Sequence, residues 1–143
     1  MAREREPDFF EIDPNELDRE WVRQPGLYHK YAVDLADARR DFEQAKTALD
    51  IAAADVDSVI RSKPEKFGLE KVTESGVKAA VLSSREYKSA TDAVHAARHR
   101  VDVLQAAVTT LDHRKKALEN LVDLRLANYF SEPRAGTPRG SEK

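Results

Sequence analysis

Ten residues, Tyr28, Tyr31, Leu35, Ala38, Phe42, Ala45, Leu49, Ala52, Val56 and Val59, recur at alternating steps of three and four. A second series does the same: Tyr87, Ala90, Val94, Ala97, Val101, Leu104, Val108 and Leu111. A mean step of about 3.5 keeps each series on one stripe of an α-helix, and a stripe of this kind must be covered by another rod. With Pro64 and Gly68 between the two series, the chain is expected to be all-α. The expected architecture is an antiparallel hairpin of two long helices, coiled-coil-like, with short accessory helices. Large side chains alternate with alanine along the first stripe, and an alanine column lets two backbones approach closely.

The remaining composition fits long solvated helices. Of the 143 residues, 35% are charged and only 7% aromatic. No apolar run reaches the roughly 18 residues of a membrane span, and the first residues do not read as a secretory signal. The chain has no cysteine, which removes thiolate chemistry and Cys-ligated zinc and fits a cytoplasmic setting. The net charge of −2 conceals an asymmetry. Residues 1–20 hold eight acids and three arginines, leaving 21 basic and 18 acidic groups in the rest.

Three segments are expected: a flexible acidic arm over 1–12 (pinned by Phe9, Phe10 and Ile12), a single helical-hairpin domain over 13–130, and a disordered Pro/Gly/Arg-rich tail over 131–143. Asp13 with Pro14 and Glu16 reads as the start of a short helix, and Gln24-Pro25-Gly26 reads as its end. The first rod should then run from about 25 to 62, stopped before Pro64. Phe67 is expected to tuck inward and Gly68 to allow a left-handed turn. A short helix over about 73–82 follows. Ser83 with Glu86 suggests a capping box that opens a second rod reaching Phe130, about ten residues longer than the first.

The distal end of that second rod is apolar on more than one side. Leu118, Leu121, Val122, Leu124, Tyr129 and Phe130 exceed what one hairpin covers, and an apolar excess of this kind marks an interface. They are the candidate contacts of a homo-oligomer.

Catalytic chemistry finds little support. No nucleophile elbow or glycine-rich loop accompanies the serines. His95 and His99 stand one helical turn apart, as zinc ligands can, but Arg98 and Arg100 beside them repel a cation. No enzyme activity, cofactor or metal is expected. Basic residues are more suggestive: Arg61, Lys63, Lys66 and Lys71 at the main turn, with Arg85 and Lys88 opening the second rod. Two further groups are His95-Ala-Ala-Arg98-His99-Arg100 and Asp112-His113-Arg114-Lys115-Lys116. Each alone could be a solvated helix face, but repetition in an oligomer would add phosphate contacts together. Phe67 and Tyr87 are the nearby rings able to stack on bases, and Tyr87 heads a stripe that should be buried.

Three local stretches, in this order, resemble the UvsY-type phage recombination mediators. Leu27-Tyr28-His29-Lys30-Tyr31 is similar to the opening of that family's first long helix. Val77-Lys78-Ala79-Ala80-Val81-Leu82-Ser83 is similar to the segment before its second, and Ala117-Leu118-Glu119-Asn120-Leu121-Val122-Asp123-Leu124-Arg125 to its C-terminal helix. The resemblance is spread over about residues 20–133. It implies a non-catalytic protein of the host cytoplasm that binds single-stranded DNA as a ring. Such a protein helps load a recombinase onto strands covered by single-strand-binding protein. One departure stands out. Where the family carries cations late in its first long helix, this chain reads Ala52-Ala53-Ala54-Asp55-Val56-Asp57-Ser58, leaving Arg61 and Lys63 a turn or more later. Two rival expectations stand beside it: a structural or adaptor coiled-coil protein without nucleic-acid binding, whose charges only keep it soluble, and an effector-like helical hairpin that docks onto a partner's helices.

Overall fold

The computed structural model describes residues 10–129, and no strand occurs among the described residues. The elements are α1 (Leu17–Ser62), a one-turn 3₁₀ helix (Pro64–Phe67), α2 (Glu74–Ser83) and α3 (Arg85–Leu126). None of the described helices is long and apolar enough to cross a membrane. Residues 1–9 of the expected arm, Phe130 and the expected tail lie outside the described residues. The chain forms two compact units, one of Met1–His29 with Thr109–Lys143 and one of Lys30–Val108.

In the Lys30–Val108 unit, α1 and α3 pack antiparallel. Arg39 donates to Gln105 at 2.8 Å and Arg100 lies 3.6 Å from Asp41, so the register falls on α3 as it rises on α1. Val56, Ile60, Val77 and Val81 form a core on which Ala53, Leu69, Ala80 and Tyr87 pack. Burying one such aliphatic side chain contributes about 1.5–3 kcal/mol before chain ordering is counted. Thr73 caps α2 by accepting a hydrogen bond from the Gly76 N–H at 3.1 Å.

In the other unit, α1 and α3 are again antiparallel, with Glu20 and Gln24 facing Arg114 and Leu111. Leu111 and Leu118 are fully buried there. Residues 10–12, expected to belong to a flexible arm, are partly packed. Phe10 and Ile12 are half-buried, and the Glu11 carbonyl accepts from Arg114 at 3.1 Å.

Several expected boundaries move. Pro25 lies inside α1, so the short leading helix and the break after it are absent. A proline within a helix removes one hydrogen bond and costs about 3 kcal/mol. The buried pairing of Glu20 and Gln24 with α3 holds the turns before Pro25 in helical register. With those turns included, α1 has 46 residues and α3 has 42, so the second rod is not the longer one. Asp13 does not cap a helix: its carboxylate accepts from the Asn15 N–H at 2.9 Å in a local turn, and α1 starts at Leu17.

The first stripe also drifts. Tyr28 and Val59, its two ends, are exposed, while Ile60 is completely buried. An unsupercoiled α-helix falls behind a seven-residue repeat by about 20° per heptad. Over four heptads that drift moves the buried position from 59 to 60.

Candidate nucleic-acid interface

Five of the six candidate cations have exposed side chains with no carboxylate partner among the described residues. Within the turn, the Lys66 N–H donates to the Lys63 carbonyl at 3.2 Å and the Leu69 N–H to that of Pro64 at 3.1 Å. Gly68 has φ +73°, the left-handed conformation expected of it. This reversal sends Leu69 into the core and leaves Phe67 41% exposed, contrary to the expectation that Phe67 tucks in. Leu69 is then held close to α2, since a Cβ at Gly76 would lie 3.1 Å from the Leu69 Cδ2 and 2.8 Å from the Thr73 Oγ1.

The junction between α2 and α3 turns on Ser84. Its hydroxyl donates to the Val81 carbonyl at 2.6 Å and accepts from the Tyr87 N–H at 3.2 Å, closing one helix and capping the next. The expected cap, Ser83, instead donates back to the Ala79 carbonyl at 2.8 Å. Arg85 and Lys88 leave the first turn of α3 exposed, while Tyr87 between them packs on the core as expected.

Arg61 departs from the group. It donates to Asp57 at 2.7 Å and to Glu74 at 2.9 Å, tying the last turn of α1 to the first turn of α2. Hydrogen bonds to Glu74 and Asp57 raise its pKa above the ordinary guanidinium value. Its charge is therefore committed to two carboxylates, and it is the weakest of the six phosphate candidates. Lys63, Lys66, Lys71, Arg85 and Lys88 are exposed, and none pairs with a carboxylate among the described residues. Residues 61–88 hold seven basic and four acidic side chains, so the region is basic on balance but interleaved with carboxylates.

The other two basic groups resolve differently. His95, Arg98, His99 and Arg100 are all exposed on α3, and no cluster of three potential metal ligands occurs among the described residues. The Asp112–Lys116 group separates altogether. Lys115 and Lys116 face Glu119 at 4.0 and 3.5 Å, and Arg114 turns inward, only 3% exposed. Its guanidinium donates to the Glu20 carboxylate and, at 2.6 Å, to the Gln24 Oε1, while Gln24 donates to the Leu111 carbonyl at 2.8 Å. Burial lowers the Arg114 pKa from its usual value. Its Nε has no hydrogen-bond partner among the described residues.

The candidate contacts for self-association are also spread. Leu118 is buried within its own chain and has no area left for a partner; Leu121 and Val122 are half-buried. Leu124 and Tyr129 are exposed, and so is Leu126, at 77%. Asn128, with φ +58°, ends α3 before the expected Phe130. Its N–H bonds the Arg125 carbonyl and the Tyr129 N–H bonds that of Leu124, both at 3.0 Å.

Comparison with protein-family models, with curated proteins and with solved structures finds no match to this chain.

Proposed function

We propose that the chain is a non-enzymatic binder of single-stranded DNA that works as a self-associating recombination mediator, helping a recombinase onto strands held by single-strand-binding protein. The observation that supports this most directly is the set of exposed cations with no carboxylate partner among the described residues, Lys63, Lys66, Lys71, Arg85 and Lys88, in the unit formed by Lys30–Val108. Lysine and arginine of this kind hold phosphates without regard to sequence, and copies of the chain would multiply weak contacts. The recombinase and the single-strand-binding protein come from the family resemblance alone.

Binding of a labelled oligothymidine, followed by fluorescence anisotropy against salt, tests the reading. Affinity should fall steeply from low to moderate salt. The Lys63→Glu/Lys66→Glu variant should bind more weakly, with a log–log salt slope shallower by about 1.4, since each single-strand phosphate contact contributes about 0.7. Negligible binding by the intact protein at low salt would overturn it.

A second reading has its own support. Glu65, Glu70, Glu74 and Glu86 lie among these cations and Arg61 is neutralised by two acids, as on a surface that only keeps helices soluble. A structural or adaptor protein would then show salt-independent absence of binding.

A further inference from the structure

Phe67 stands where two open clefts of the Lys30–Val108 unit meet. One cleft pairs the ring with Val59 and the carboxylates of Asp55 and Glu86. The other pairs it with Ala79, Ala80, Arg85 and the same Glu86. The ring is 41% exposed although the neighbouring Leu69 and the nearby Tyr87 are both packed on the core. Phe67 ends a one-turn 3₁₀ helix closed by the Gly68 N–H bonding the Glu65 carbonyl, and Leu69 just beyond packs on the core.

From this placement we infer that Phe67 is a stacking platform for one base of the single strand, with Lys66 and Arg85 holding the phosphates on either side. Charge selects the cleft. Glu86 lines both, but in the first it is joined by Asp55 and repels a phosphate, whereas in the second Arg85 offsets it, and Ala79 and Ala80 suit an apolar base face. Every base has a π-face, so the platform takes any base, and this tolerance matches phosphate contacts that read no sequence. The inference rests on the single-stranded-DNA reading proposed above, and the experiment separates the two.

Two labelled strands of equal length are compared on the full chain, one oligothymidine and one of abasic nucleotides with the same phosphates. The protein should prefer the base-bearing strand by roughly fivefold or more, the low end for one base on an aromatic ring. Phe67→Leu should abolish that preference while keeping the salt slope, because it removes stacking and no cation. Phe67→Trp should retain the preference, and the strand should quench its fluorescence beyond the change seen for Trp21 in the unaltered protein. An undiminished preference in Phe67→Leu overturns the stacking role and leaves DNA binding standing. Failure of the unaltered protein to bind either strand overturns both.

Discussion

Arg114 has the highest stake among single residues. A buried ion pair gains little over well-packed apolar residues, yet removing one partner strands the other charge at a cost of about 3–5 kcal/mol. Arg114→Met should therefore destabilise the protein by about that amount in urea unfolding, because Glu20 and the Gln24 carbonyl oxygen lose their donor. Adding Glu20→Leu should recover most of the loss. A double variant no more stable than Arg114→Met alone would mean that Glu20 is not the group left stranded. The position was only half legible in the sequence: Gln24 and Leu118 fall on the alternating steps, but the alternation points to Lys115 after Leu111 and to Trp21 before Gln24. The run Arg114-Lys115-Lys116 concealed it, since three adjacent cations suggest a solvated patch. The buried acceptors Glu20 and Gln24 on α1 decide which of the three faces inward. Arg61 was harder to read, because Glu74 is thirteen residues away and only the path of the main turn brings it within reach.

At the scale of the element, both long helices, the left-handed Gly68 and the separate α2 were readable, because each rests on a local rule of spacing or conformation. The misplaced boundaries were those where tertiary contacts or neighbouring polar residues compete with a local signal. Ser83 and Ser84 are both able to cap, and the second does so because its hydroxyl reaches the Val81 carbonyl and the Tyr87 N–H together. Asn128 ends α3 because asparagine tolerates positive φ, a signal present in the sequence but masked by the apolar run around it. Pro25 is the clearest override: a residue that breaks isolated helices is carried by packing on both sides. It should therefore be a site of stored destabilisation. Pro25→Ala restores an N–H to the Trp21 carbonyl, worth up to about 3 kcal/mol in a helix interior. It also frees the unfolded chain, which opposes the gain by about 0.4–1 kcal/mol. A rise of about 1–2 kcal/mol in unfolding free energy is expected, with far-UV circular dichroism unchanged. A fall in stability would show that the bond to Trp21 is not recovered.

At the scale of the whole molecule, the question is which apolar surface a second copy could use. Sequence pattern grouped Leu118 with Leu124 and Tyr129, since nothing local distinguishes a side chain covered by its own chain from one left outside. The fold separates them, and that separation makes self-association testable without confusing it with folding. Leu126→Asp alters a side chain 77% exposed and should leave helix content and urea stability nearly unchanged, as surface substitutions do, within about 0.5 kcal/mol. If this end of α3 joins copies, the same change buries a carboxylate in the interface and should reduce the particle mass measured by native mass spectrometry or light scattering. Leu118→Asp, by contrast, places a charge in the core and should unfold the protein rather than dissociate it. The unaltered protein should be a multiple of 16.1 kDa, with Leu126→Asp shifted towards a single copy. A folded monomer in both cases removes the interface, and with it the multiplication of weak phosphate contacts. The five exposed cations of one chain would then have to suffice for binding.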